Sequence, residues 1–184
     1  MATTPTSPPP KLLAQPILIA ASIIIAILLI AGMTLLIFSV IDKKKSPLPS
    51  DIQNTISFSP LIVPGSNDNF SAHDYRYGPD ETGQNILTYT VKNSSGTNIF
   101  VSQYPQPPQF VEITDYKEQF LNNVAQQYDT VQSSNGVIYL GRLTKLQNRQ
   151  LGVMLDKGLL IFISPQSDLS SDEWRLLGNS LEII

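Results

Sequence analysis

The sequence predicts an α+β protein: one N-terminal transmembrane helix, then a mainly antiparallel, meandering sheet with two helices packed on one face. Three observations carry that expectation. Residues 17–41 are 25 consecutive positions without a charge. Behind them, short period-two runs alternate with turn residues along most of the chain. Two further segments place apolar residues at helical spacing behind a capping signal.

From Ile17 to Ile41 most residues are Ile, Leu, Ala, Val or Met. About 20 such residues cross a hydrocarbon core. Lipid offers no partner to an unpaired backbone, so the run must be helical. Lys11 and Pro16 precede it, and Asp42-Lys43-Lys44-Lys45 follow it. A cleaved leader has an apolar core of about 7–15 residues and a small-x-small exit, which Ser39-Val40-Ile41 does not provide. The expectation is therefore an uncleaved signal-anchor of a single-pass protein, meeting the lipid bilayer through residues 17–41. Ser22 and Ala26 form a small-xxx-small pair, with Ala31 and Gly32 one to two turns further on, a small-residue face that is a candidate for a weak homodimer through the membrane helix.

Around this anchor the chain divides into a disordered Pro/Thr/Ser tail (1–15), the transmembrane helix (16–41), a linker (42–54) and a globular domain (55–184). Pro8-Pro9-Pro10 extends the tail, and Pro47 and Pro49 stiffen the linker.

In the domain, Ile56 to Val63 reads as a strand ended by Pro64-Gly65. Residues 66–74 are polar and loop-like, and Tyr75-Arg76-Tyr77 is a short strand. A hairpin runs from Ile86 to Lys92, turns at Asn93-Ser94-Ser95-Gly96 and returns from Thr97 to Tyr104. Leu87, Tyr89 and Val91 alternate with Thr88 and Thr90, giving a buried and a wetter face. Pro105, Pro107 and Pro108 end the pairing, because proline cannot donate to a ladder. Asp115 and Glu118 form a capping pair for a helix with Tyr116, Phe120, Leu121, Val124 and Tyr128 on one face. Strands follow at Val137–Leu143, Leu151–Leu155 and Leu159–Ser164, the last two joined by Asp156-Lys157-Gly158. The run Leu159-Leu160-Ile161-Phe162-Ile163 is apolar throughout, as in a central strand covered on both faces. Ser170 and Glu173 cap a closing helix whose Trp174, Leu177 and Leu181 fall at i, i+3 and i+7.

Charge narrows the function classes. Residues 1–45 hold four lysines and Asp42, so 46–184 hold 12 − 4 = 8 basic and 15 − 1 = 14 acidic residues, a net of −6. Nucleic acid is a poor partner for such a domain. Cysteine is absent, which removes disulfides, thiolate metal sites and cysteine nucleophiles. The single histidine, His73, precedes Asp74, but no serine lies in a nucleophile-elbow context. One histidine without cysteine does not make a zinc site. Asp68, Asp74, Asp80 and Glu81 lack EF-hand spacing. No phosphate-binding glycine loop is present. The expectation is no catalytic residue, no cofactor and no metal. Phe70, Tyr75, Tyr77, Tyr89, Phe100, Tyr104, Phe110 and Tyr116 concentrate in the first half of the domain. Tyr75, Tyr77, Tyr104 and Phe110 are taken from them as a candidate partner-binding patch.

Lysines flanking the anchor argue for a cytoplasmic domain, with Lys11 and the amino terminus on one side and three lysines on the other. The domain's wealth of Asn, Gln, Ser, Thr and Tyr argues for export.

The ending Asp156-Lys157-Gly158-Leu159-Leu160-Ile161-Phe162-Ile163, followed by Leu169 through Leu181, resembles small uncharacterised bacterial domains. Those domains are carried outside the membrane on a single N-terminal anchor. Ile86 to Gln103 is similar to their earlier hairpin. The resemblance implies an extracytoplasmic sheet-and-helix domain at the cell membrane and brings no catalytic residues. The expected function is then a cell-envelope binding or sensing module with a ligand or envelope protein as partner. An envelope hydrolase, or a carrier holding an apolar ligand in a curved sheet, stands as the alternative.

Overall fold

The computed structural model describes residues 46–65, 67–124, 126–143 and 149–184. The tail, the expected transmembrane helix Ile17–Ile41 and its small-residue face lie outside the described residues. Among the described residues no helix is long and apolar enough to cross a membrane. Residues 45–184 form one compact unit.

A short helix α1 (Ser50–Thr55) leads into β1 (Leu61–Ile62), β2 (Phe70–Pro79), β3 (Asn85–Asn93) and β4 (Asn98–Pro105). A helical turn α2 (Gln109–Glu112) and helix α3 (Tyr116–Val124) follow. Next come β5 (Gln126–Ser133), β6 (Gly136–Leu143), β7 (Arg149–Asp156) and β8 (Leu159–Pro165), then α4 (Ser171–Ser180) and β9 (Glu182–Ile183). Seven strands make one sheet in the order β2-β3-β4-β8-β7-β6-β5, and β1 pairs with β9 apart from it. Each pairing is antiparallel. The architecture is a mainly antiparallel sheet with few helices. It consists of two meanders joined where β4 meets β8, with Val101 opposite Ile163.

Local chemistry sets the turns. The β3–β4 turn uses Gly96 at φ 87 and the Asn93 side chain, which accepts from the Thr97 amide at 2.8 Å. Lys157 and Gly158, at φ 52 and 74, give the β7–β8 hairpin two left-handed central residues. Ser170 and Glu173 form the expected capping box, and Trp174 and Leu177 are fully buried beneath it.

Side chains sort by strand parity into two clusters. On one face Leu87, Tyr89, Val91, Ile99, Val101, Ile138, Met154, Ile161 and Ile163 pack with Trp174 and Leu177 of α4. On the other, Leu151, Val153, Leu160 and Phe162 pack with Phe120, Leu121 and Val124 of α3. The two helices therefore cover opposite faces, which corrects the expectation of one shared face. The reason is β8: Leu159, Ile161 and Ile163 belong to one cluster and Leu160 and Phe162 to the other, so each side needs an apolar lid.

Three boundaries also move. Leu48 and Ile52 are buried in the core, so the fold reaches into residues read as a linker. The expected strand from Ile56 to Val63 pairs only at Leu61 and Ile62; Pro60 cannot donate, and Leu61, Ile62 and Val63 bury almost completely against the sheet instead. The helix after Asp115 ends at Val124, and Tyr128 falls in β5, where the β6 ladder supplies backbone partners that further helical turns would forgo. In the opposite sense, the short strand at Tyr75–Tyr77 extends over ten residues from Phe70 to Pro79.

Candidate functional site

The chain crosses from β4 to the far edge strand β5 by way of α2 and α3, so these helices lie over β6, β7 and β8. Among the described residues, their face of the sheet is left open above β2, β3 and β4. The opposite face of those strands is closed by residues 57–63. Phe58 packs edge-on to Tyr77 with ring centroids 6.1 Å apart, and Tyr89 donates to the Leu61 carbonyl at 2.9 Å. Gln103, fully buried, accepts from the Leu61 amide at 3.0 Å and donates to the Leu61 carbonyl. The open half-face is a groove of about 470 Å³.

Two cross-strand rows floor the groove. Arg76, Thr88, Ser102 and Phe162 stand opposite one another in one row, on β2, β3, β4 and β8. Thr90, Phe100 and Ser164 make the next, with His73 opposite Thr90 on the edge strand but outside the lining. Four strands at about 4.8 Å spacing give a trough about 14 Å across, and the rows lie about 7 Å apart along the strands. Phe100 is 51% exposed, although it sits at the polar phase of its strand. Phe162 is half-buried, held at its far edge by Tyr104, whose ring centroid is 6.1 Å away at 87°.

A bulge shapes one rim. The pairing of β2 with β3 shifts between His73 and Arg76, and Asp74 takes φ 57 there. The extra residue lets Asp74 join Arg76 in the groove lining. A non-glycine residue in the left-handed region is strained, and such strain gathers at sites of function. His73 Nδ1 lies 2.8 Å from Asp74 Oδ2, with the two side chains 43% and 71% exposed. Among the described residues no hydroxyl hydrogen-bonds to His73. The pair is a solvent-washed contact on an edge strand.

The expected patch of Tyr75, Tyr77, Tyr104 and Phe110 does not assemble. Tyr75 stacks on Tyr89 at 5.3 Å and Tyr77 packs on Phe58, both against the core on the α4 face. Tyr104 and Phe110 pack on the α3 face, where Phe110 meets Tyr116 at 4.9 Å and Phe120 at 5.0 Å. Strand parity divides the three that lie on strands: Tyr75 and Tyr77 share one side of β2, and Tyr104 takes the other side of β4, while Phe110 lies on α2. Burial raises the phenol of Tyr104 above its ordinary pKa, with a smaller push from the Asp80 carboxylate.

Phe100 was visible in the sequence as an aromatic in phase with Ser102 rather than with Val101. That phase is the signal for an exposed ring. Among the described residues no group of His, Asp and Glu is arranged to hold a metal ion. No family model, curated protein or solved structure matches the chain.

Proposed function

We propose that the protein is a membrane-anchored binding or sensing module of the cell envelope. Residues 17–41 hold it in the bilayer, the domain from residue 46 onward stands outside the cytoplasm, and the groove over β2, β3, β4 and β8 is its binding face. One observation carries this reading: half of a sheet face lies open, with the Phe100 ring 51% exposed among Thr88, Thr90, Ser102 and Ser164. Apolar contact area set among a few convergent polar groups in a depression is the make-up of a ligand site.

The exported orientation is supported by the domain's uncharged polar composition, rich in Asn, Gln, Ser, Thr and Tyr. The hydrolase alternative loses ground because, among the described residues, His73 has only the exposed Asp74 as partner. The carrier alternative loses ground because the volume beneath the sheet is filled by Trp174, Leu177, Leu61 and Ile62.

The chain has no cysteine, so single-cysteine variants report cleanly. Phe100→Cys in spheroplasts should react with a membrane-impermeant maleimide, whereas Ser7→Cys should react only after lysis. Labelling of Phe100→Cys only after lysis would overturn the envelope assignment.

A further inference from the structure

We propose that the groove takes a neutral saccharide chain, its pyranose rings lying against Phe100 and Phe162; this rests on the reading that the open half-face is the binding face. Four observations converge on that chemistry. The lining presents hydroxyls from Thr88, Thr90, Ser102 and Ser164, each able both to donate and to accept. A sugar has the same dual character around its ring edge. The Phe100 ring is 51% exposed in the lining, with part of the half-buried Phe162 beside it. An aromatic face carries a negative quadrupole that attracts the weakly positive C–H groups on the flat side of a pyranose.

Charge is the third observation. Asp74 and Arg76 are the charged groups lining the groove, one of each sign, so the lining is neutral as a whole. A phosphate or nucleic-acid backbone would be met by clustered cations, which this lining lacks. The fourth concerns the competing ligand class. An extended peptide would add to the edge of β2 by backbone pairing. That edge is interrupted by the bulge between His73 and Arg76 and ends at Pro79, features that block strand addition. The trough, about 14 Å across four strands, suits a chain of flat rings laid across the strands rather than a single small ion.

The protein in phospholipid nanodiscs can be titrated calorimetrically with three probes. These are hexaoses of β-1,4-linked glucose and of β-1,4-linked N-acetylglucosamine, and inorganic phosphate. At least one saccharide should bind saturably and phosphate should not. Phe100→Ala should weaken that binding about tenfold, the scale of one lost ring contact, and Thr88→Val with Ser102→Ala should weaken it further. Leu176→Ala, an exposed change on the opposite face, should leave it unchanged. Saccharide binding that survives Phe100→Ala overturns the proposal. If no saccharide binds while a photo-crosslinker at position 100 traps a protein in cells, the saccharide class fails and the binding face stands. Silence in both experiments sinks both.

Discussion

Gln103 shows how one polar side chain can fix a fold. It sits at 0% exposure between two meanders, bonded to both backbone groups of Leu61, and its amide also donates to the Tyr89 hydroxyl at 3.1 Å. These bonds satisfy a backbone that has almost no ladder of its own. Nothing in the sequence marks this glutamine, because its partner is 42 positions away and its role is set by what it meets. Tyr75 is the opposite case: its hydroxyl oxygen is buried and has no hydrogen-bond partner among the described residues. Burial pushes the Tyr75 phenol from its ordinary 10.0 up to about 12, and burial again, with Tyr75 beside it, raises Tyr89. Above pH 10 the unfolded phenols lose protons that the folded ones keep, so the folded state binds more protons and stability falls as pH rises. Urea midpoints should therefore hold steady from about pH 8 to about pH 10 and drop beyond it. Tyr75→Phe should flatten part of that drop and, by removing an unpaired hydroxyl, stabilise the protein at about pH 8 by up to about 1 kcal/mol. A midpoint that stays level to about pH 11 would contradict this picture of the core.

At the scale of elements, what was legible followed from local chemistry. The hairpin at Asn93–Gly96, the Lys157-Gly158 turn and the Ser170–Glu173 capping box are each contained within a few residues, and each forms as expected. The side of the sheet on which each helix lies was not legible from either helix alone. The run Leu159–Ile163 nevertheless held the answer, since a strand apolar on both sides cannot have both helices on one. Close packing on the α4 face also depends on a glycine. A Cβ on Gly152 would stand 2.6 and 2.9 Å from Trp174 ring carbons and 3.1 Å from an Ile138 methyl. Trp174 cannot step back, because its indole donates to Gln150 at 3.1 Å and Gln150 is itself bonded to the Leu169 backbone. Gly152→Ala should cost about 2 kcal/mol in chemical denaturation through overpacking. Gly78→Ala, with open space around its Cβ, should lose far less; equal losses would remove the steric explanation.

Over the whole molecule, connectivity decides where the surface is open. The excursion through α2 and α3 covers the α3 face of β6, β7 and β8, residues 57–63 close the opposite face beneath β2, β3 and β4, and α4 closes the rest of that face. Among the described residues, what remains uncovered is the half-face with Phe100 at its centre. The sequence held the alternation that wets this face, but the aromatic patch drawn from composition mixed residues of both sides. Parity along β2 and β4 separates Tyr75 and Tyr77 from Tyr104, and a list of aromatics ignores parity. The central claim is that this half-face is where the protein meets its ligand. Its most direct test is a photo-crosslinking amino acid placed at Phe100, and separately at Leu176 on α4, in the chain expressed in cells. Phe100 is 51% and Leu176 43% exposed, so the two positions are matched in access to solvent. The account predicts a discrete light-dependent adduct at position 100 and none at 176; equal labelling at both, or none at 100, would contradict it.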